Sequence, residues 1–174
     1  MRLKFHLLFI VCCISLSVGA QDTTSISTFP SDLDSIQVDS FYRKFTIDLN
    51  KCDKPELYFE VFRWLNTKYR YGGTGKKGVD CSGFVSEVYR NVYRKELPHS
   101  SSGMFMLCDA LKKKEIPAEG DLVFFKIHSK RVSHVGIYLQ HGMFAHASVY
   151  NGVTINDLEG SYYKKYFFKA GRVE

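Results

Sequence analysis

The chain changes its hydrophobic periodicity once, near residues 117–120, and this change most constrains its fold. Before it, apolar residues recur at helical spacing, and after it they recur in short runs and alternating patterns typical of strands. The clearest helical stripe places six residues at i, i+3, i+4, i+7, i+8 and i+11: Cys81, Phe84, Val85, Val88, Tyr89 and Val92. This order predicts an α+β fold, with N-terminal helices packed on a C-terminal antiparallel β-sheet.

The 174 residues of the chain suffice for one ordinary domain. Residues 21–50 are rich in Ser, Thr and Asp and show weak periodicity, so we predict a linker or a loosely packed N-terminal arm there and a folded domain over 51–174. The predicted helices run from Lys54 to about Tyr69, from 81 to 93 and from 102 to 111. The predicted strands are 122–125, 133–139, 143–148, 153–156 and 166–173.

The first twenty residues have the pattern of a secretory signal peptide. Two basic residues precede an apolar stretch over 7–16, and small residues follow up to Ala20, after which we predict cleavage. The alternative is a single membrane anchor, for which the apolar stretch is short. A lipoprotein is disfavoured, because Cys12 follows Val11 rather than a small residue. We therefore expect export to the periplasm or the cell envelope, with no transmembrane segment in the mature chain.

The charge and the cysteine content of the mature chain bear on two questions: whether it binds nucleic acid and whether it contains a disulfide. Without the first twenty residues it carries 22 Lys and Arg against 18 Asp and Glu, a mildly basic balance. It has no arginine-rich helix and no zinc-finger spacing, so we predict no nucleic-acid partner. Three cysteines remain, and either Cys52 and Cys108 form a disulfide that leaves Cys81 free, or all three are unpaired.

Cys81 is a candidate nucleophile because of its place at the start of a predicted helix. Backbone N–H groups without intrahelical partners and the helix dipole stabilise a negative charge there, so we predict a lowered pKa and a reactive thiolate. The alternative is an inert cysteine buried on the apolar face of the helix. The preceding Asp80 is expected to cap this helix or to bind a cationic group of a ligand.

His134 and His146 are predicted to share one face of a hairpin. The residues 140–142 form a three-residue loop, and an odd loop pairs even-numbered residues with even-numbered ones. One imidazole could then accept the thiol proton while the other orients it. Two alternatives remain open: scattered histidines on a solvated face, or a metal site that would need Cys81 or Asp80 as a third ligand.

Five motifs along the chain resemble the NlpC/P60 family of cell-wall cysteine peptidases. They are YRYGGTGKKGVDCSGFV, LPHSS, GDLVFF, SHVGIYL and FAHAS, and the resemblance runs from about Leu57 to the C-terminus. It implies a papain-like α+β fold. It also implies that Cys81 is the nucleophile, that His134 is the base and that His146 is the third polar residue of the catalytic set.

The resemblance further implies a substrate and the residues that bind it. Tyr69 matches a position beside the oxyanion region, and Asp80 and Ser82 match positions that contact the amino end of the substrate in some members. Ser100, in the LPHSS motif, is a further candidate for substrate binding. The expected activity is hydrolysis of peptidoglycan stem peptides at the D-glutamyl–diaminopimelate bond, without metal or cofactor, by a monomer. The alternatives are cleavage of D-Ala–diaminopimelate cross-links, an N-acetylmuramoyl-L-alanine amidase, and a catalytically inactive cell-wall-binding module.

Overall fold

The structure is a computed structural model that describes residues 34–174. The predicted signal peptide and the beginning of the predicted arm lie outside the described residues. Within that range the helices are α1 Ser35–Arg43, α2 Pro55–Trp64, α3 Cys81–Tyr93, α4 Ser101–Leu107 and α5 Ser161–Tyr166, with a 3-10 turn at Leu49–Lys51. The strands are β1 Thr74–Gly75, β2 Gly78–Val79, β3 Asp109–Ala110, β4 Leu122–Phe125, β5 His134–Tyr138, β6 Met143–Ser148, β7 Gly152–Asp157 and β8 Phe167–Arg172.

Six of the strands form one antiparallel sheet in the order β3-β8-β4-β5-β6-β7. Strands β1 and β2 form a separate small hairpin directly before α3. The predicted fold class, helices followed by an antiparallel sheet, is confirmed. The central strands β4, β5 and β6 are buried, which holds the side chains they carry in fixed positions.

The sheet is covered on both faces. On one face, alternate residues such as Val135 and Ile137 join the large core beneath α2 and α3. On the other face, Phe125 and Phe144 form a smaller core that packs against Tyr163 of α5. The residues of a strand therefore alternate between two hydrophobic cores, and a polar side chain on either face is desolvated.

The segment predicted as a linker or loose arm is packed over its described part. Helix α1 buries Val38 and Tyr42 completely, and Ile47 follows them into the same core. The hydroxyl of Tyr42 donates a hydrogen bond of 2.6 Å to the backbone carbonyl of Tyr58 in α2. The abundance of Ser and Asp in this segment obscured a short helix that buries Val38 and Tyr42 while leaving Ile36 exposed.

Two helices are shorter than their apolar pattern predicts. Helix α2 ends at Trp64 rather than near Tyr69, because Asn66 adopts a left-handed conformation (φ 62°) and donates its backbone N–H to Val153 of β7 at 2.9 Å. Helix α4 ends at Leu107, and the chain then pairs with β8 through β3. In both places hydrogen bonds to the sheet replace the last helical turn. No helix in the part of the chain described here is long and apolar enough to cross a membrane.

Candidate active site

Helix α3 begins at Cys81 because Asp80 caps it. The Asp80 carboxylate accepts the backbone N–H of Gly83 at 2.7 Å and the hydroxyl of Ser82 at 2.9 Å, both on Oδ1. Its other oxygen, Oδ2, accepts the backbone N–H of Gly72 at 2.9 Å. Nε2 of His99 lies 3.3 Å from Oδ1. The capping role predicted for Asp80 is confirmed, and this carboxylate ties the glycine-rich loop to the start of the helix.

The sulfur of Cys81 lies at the junction of α3 and β5. Cys81 is 8% exposed, and the backbone of Val135, the residue after His134, forms a hydrogen bond with the sulfur. Burial raises the pKa of Cys81 to about 11, although hydrogen bonds from Val135 and Ser82 act in the opposite direction. The lowered pKa predicted from the helix N-terminus is wrong for the free protein, because desolvation outweighs the backbone groups.

The two predicted histidines meet. Strands β5 and β6 pair Tyr138 with Phe144, so even-numbered residues face even-numbered ones across the hairpin, as predicted. Continuing that register places His134 and His146 one diagonal step apart on the same face. Nε2 of His134 lies 2.9 Å from Nδ1 of His146, and the two rings are nearly perpendicular.

A third polar residue, Asn156 of β7, extends this pair. Its Oδ1 lies 2.9 Å from Nε2 of His146. Asn156 was not among the residues predicted from the sequence, although the alternation along β7 puts it on the same face as His146. The alternation of residues along β7 indicates which face of the strand carries Asn156. Only the pairing of β6 with β7 shows that this face brings residue 156 close to residue 146.

Aromatic side chains surround the histidine pair and exclude water. Phe144 stacks on His146 at a centroid distance of 4.8 Å, and Tyr163 meets the same ring edge-on at 5.1 Å. Phe125 lies beside His134 at 5.8 Å. Burial lowers the pKa of His146 to about 4. Burial, and then the repulsion that two imidazolium rings side by side would feel, hold the pKa of His134 well below its usual value. Both rings are therefore neutral at neutral pH, which a general base requires.

Gly136 makes room for the Phe144 ring and the backbone of β6. A Cβ on this glycine would lie 2.7 Å from the Phe144 ring, 2.8 Å from the Ala145 carbonyl oxygen and 3.2 Å from Cβ of His146. A side chain here would push apart β5 and β6, the two strands that carry the histidines.

Comparison with known proteins now identifies the domain. The model of the NlpC/P60 family matches residues 66–172 of this chain, a range that includes α3, His134, His146 and Asn156. The chain belongs to the NlpC/P60 family. The family expected from the sequence motifs is thereby confirmed.

Curated relatives of this NlpC/P60 chain are bacterial proteins named as endopeptidases or probable endopeptidases. The Escherichia coli (strain K12) protein named murein DD-endopeptidase MepS/murein LD-carboxypeptidase is 39% identical over 120 residues, which cover 69% of this chain and 63% of that protein. The probable endopeptidase NlpC homolog of Haemophilus influenzae is 38% identical over 110 residues, covering 63% of this chain and 57% of that protein. The matched region thus spans about three fifths of the length of these relatives.

A solved structure agrees with the fold. The crystal structure of an NlpC/P60 family protein from Bacillus cereus ATCC 10987 has a TM-score of 0.61 with this chain at 26% identity. The match covers 72% of this chain and 42% of that one. The papain-like NlpC/P60 arrangement expected from the sequence is confirmed at the level of the fold.

The remaining candidate residues of the NlpC/P60 domain are distributed around the start of α3. Tyr69 forms a parallel bridge with Val79, and burial, followed by the charges of Cys81 and Asp80, raises the pKa of Tyr69 to about 12. The charge of Cys81 therefore acts on Tyr69, and the place of Tyr69 beside the oxyanion stays a prediction. Ser100 caps α4 by accepting the backbone N–H of Gly103 at 3.1 Å. In that turn His99, rather than Ser100, reaches Asp80.

The other cysteines take no part in the site. Cys52, Cys81 and Cys108 are all unpaired, so the proposed Cys52–Cys108 disulfide is wrong and the unpaired alternative holds. The thiol of Cys52 donates instead to the backbone carbonyl of Leu49 at 3.0 Å. Over residues 34–174, no group of three or more His, Cys, Asp or Glu side chains could hold a metal ion.

Replacing Gly83 with alanine is expected to destabilise the fold. A Cβ on Gly83 would lie 2.2 Å from the backbone oxygen of Gly73, which cannot move without disturbing the loop held by Asp80. Overpacking of this kind costs about 1–3 kcal/mol, which exceeds the roughly 1 kcal/mol that alanine gains over glycine in a helix. A lower urea midpoint measures the effect.

Gly75 of β1 offers the matched control for this substitution. It lies in the same glycine-rich region, and a Cβ on it would meet nothing within 4 Å. Gly75→Ala should leave the urea midpoint unchanged. Equal midpoints for the Gly83 and Gly75 variants would show that the loop yields to α3 and that the close approach is not required.

Proposed function

We propose that this NlpC/P60 chain is a peptidoglycan hydrolase that cleaves stem peptides through an acyl-enzyme on Cys81. The observation that carries the proposal is the hydrogen-bonded series from His134 through His146 to Asn156, with the Cys81 sulfur held at the backbone of the residue next to His134. A nucleophile, a base and an orienting group on three neighbouring elements are what acyl transfer to a cysteine requires. The endopeptidase names of the curated relatives support the same reaction class.

Acylation begins from a neutral thiol and a neutral imidazole, because burial raises the pKa of Cys81 and lowers that of His134. As the sulfur attacks the carbonyl carbon, its proton passes to Nδ1 of His134, since Nε2 of that ring is engaged with His146. The negative oxygen of the tetrahedral intermediate is stabilised by the backbone N–H of Cys81 in the first turn of α3, beside Tyr69.

Acylation ends when this proton moves from His134 to the leaving group, and deacylation then uses a second proton, which His134 takes from water. The His134 imidazolium protonates the leaving amine nitrogen, the C–N bond breaks, and a thioester remains on Cys81. His134 then takes a proton from water while the hydroxide attacks the thioester carbonyl. The C–S bond breaks, the peptide leaves as a carboxylic acid, and the proton returns to the sulfur. His146 orients the His134 ring in both steps and stabilises its positive form.

Two scissile bonds fit this chemistry. The D-glutamyl–diaminopimelate bond is the one implied by the resemblance, and we retain it as the first candidate. The D-Ala–diaminopimelate cross-link is the second, and the name of the E. coli relative, a murein DD-endopeptidase, favours it. Both are amides of D-amino acids, so the catalytic residues alone do not select between them.

Digestion of purified sacculi followed by mass spectrometry of the released muropeptides tests the proposal. Cleavage at D-glutamyl–diaminopimelate yields disaccharide dipeptides and fragments with a new amino group on diaminopimelate. Cleavage of cross-links instead converts dimers to monomers, with one water added per bond. An amidase would release sugars free of peptide. Binding of the protein to sacculi without any release would favour the inactive binding module and overturn the proposal.

We also infer that the chain acts outside the cytoplasmic membrane. Its proposed substrate lies there, and the first twenty residues have the charge and hydropathy pattern of a signal peptide. Mass spectrometry of protein recovered from the envelope should find an N-terminus at Gln21. An intact N-terminus at Met1 would contradict cleavage.

A further inference from the structure

We propose that Asn156 is a positioning residue that fixes the tautomers of His146 and His134, so that Nδ1 of His134 is the unprotonated nitrogen. This proposal deepens the proposed function and rests on it for its kinetic consequence. The tautomers themselves are a property of the folded protein and can be measured without substrate.

Asn156 lies at the outer end of the series His134–His146–Asn156. The oxygen of the Asn156 amide can only accept a hydrogen bond, and it lies 2.9 Å from Nε2 of His146. Nε2 of His146 must therefore carry the proton. A neutral imidazole carries one proton, so Nδ1 of the same ring is an acceptor.

The protonation of His146 in turn determines that of His134. Because Nδ1 of His146 accepts, Nε2 of His134, at 2.9 Å, must donate. In the neutral ring this leaves Nδ1 of His134 without a proton, and that nitrogen is the one able to take the thiol proton of Cys81. The Asn156 amide, which contacts His146 and not His134, thus determines whether Nδ1 of His134 is free to accept a proton.

Because the two histidines are buried, losing the hydrogen bond to Asn156 should change which tautomers they adopt. His146 is fully buried and His134 is 9% exposed, so water cannot substitute for a lost partner at low cost. Asn156 itself is half-buried at the outer edge of the sheet, on the last strand β7. Strand pairing sets Asn156 opposite Phe144 and Thr154 opposite His146, so the amide reaches the ring diagonally.

Few groups compete with Asn156 for control of His146. Among residues 34–174, the titratable groups that face its ring are His134 from β5 and Tyr163 from α5. Both are neutral at neutral pH, because burial lowers the pKa of His134 and raises the pKa of Tyr163 to about 12. The hydrogen bond to Asn156 favours the protonated ring, as does the backbone at Ala147. The amide is the side chain that orients the series.

Nitrogen-15 NMR of the imidazoles tests the assignment directly. In the wild-type protein we expect His146 and His134 both protonated at Nε2, with resonances identified by single His→Gln variants. In Asn156→Ala the two rings should populate both tautomers. Asn156→Asp, whose carboxylate also accepts from Nε2, should restore the wild-type pattern. Thr154→Ala, on the same strand and face, is the matched control and should change neither ring.

Kinetics on muropeptides gives a second readout. Asn156→Ala should lower kcat about tenfold, the lower end of the effect of removing a group that orients a ligand or base, with KM little changed. In Asn156→Asp the carboxylate stabilises the His146 imidazolium, so the acid limb of the pH profile should move to higher pH. In Asn156→Ala the limb should stay or move to lower pH. Rescue of kcat in the Asp variant, with the limb displaced, is not expected of a residue that only supports the fold.

Two results would overturn the proposal. One is wild-type protonation of His134 at Nδ1, which would mean that the amide presents its NH₂ group and that the series runs in the opposite direction. The other is an unchanged tautomer pattern in Asn156→Ala. Should the NMR pattern appear as expected while sacculi remain undigested, the assignment of Asn156 stands and the proposed function fails, so the two are distinguishable.

Discussion

Cys81→Ala is expected to abolish muropeptide release while leaving the fold intact. Without the sulfur no thioester can form, and loss of a covalent nucleophile commonly lowers kcat by about 10³-fold or more. The side chain is small and lies at the junction of α3 and β5, so its removal leaves only a small cavity. Digestion of sacculi by wild-type and variant protein at equal concentration measures the loss, and urea unfolding shows that the fold is retained.

Cys108→Ala provides the matched control for this experiment. Cys108 is also unpaired, and burial raises its pKa to about 12, but it caps the end of α4 away from the histidines. Its replacement should leave digestion within a factor of about two, as for most substitutions outside the machinery. Undiminished release by Cys81→Ala would reject Cys81 as the nucleophile and, with it, the acyl-enzyme.

His134→Ala is expected to cause the second largest loss, about 10²–10⁴-fold in kcat, the usual contribution of a general acid–base group. His146→Ala should cost less, since that ring orients the base without receiving the thiol proton itself. The ratio of the two losses therefore measures the separation of roles. Single-turnover release from a defined muropeptide dimer determines both values without interference from product release.

A pH profile distinguishes loss of the base from loss of packing in these variants. His146 stacks on Phe144 at 4.8 Å, so its removal also opens a cavity and both variants need urea midpoints beside the rates. His134→Ala should retain a residual rate that rises with pH through the high pKa of Cys81, because hydroxide then removes the thiol proton. Equal losses for the two histidines, with equal pH profiles, would contradict distinct roles.

The parts of the site that the sequence predicts correctly are those that depend on local periodicity. The helical stripe fixed the position of Cys81 in the first turn of α3, and a three-residue hairpin loop fixed the register that brings His134 and His146 together. Each of these follows from residues fewer than about fifteen positions apart. A pattern of period 3.6 or 2 is sufficient to establish them.

The errors arise where distant segments meet. Asn156 joins the histidines only because β7 pairs with β6, and the pKa of Cys81 depends on how completely α3 and β5 exclude water. Neither pairing nor desolvation is visible in a local pattern. The prediction of a lowered pKa for Cys81 included the helix dipole, which depends on local sequence. It left out burial, which depends on how distant segments pack.

The structure gives Asp80 more contacts than the sequence predicts. Its place before the helix predicts a cap, and the structure confirms one, but it also shows three further contacts with Gly72, Ser82 and His99. A carboxylate already engaged by four donors has little capacity left for a cationic group of the substrate. Binding of the substrate's amino end by Asp80 and Ser82 stays a prediction, and it requires that some of these contacts exchange.

The high pKa and low exposure of Cys81 have a consequence for its survival between turnovers. Peroxides and disulfides react with thiolates, and their attack is faster the more accessible the sulfur is. Cys81 has a pKa of about 11 and is 8% exposed. Its sulfur is therefore mostly a neutral thiol at neutral pH and is poorly accessible to oxidants. If Cys81 is the nucleophile and the chain is exported, as proposed, its sulfur is thus protected from oxidation until a substrate carbonyl binds beside it.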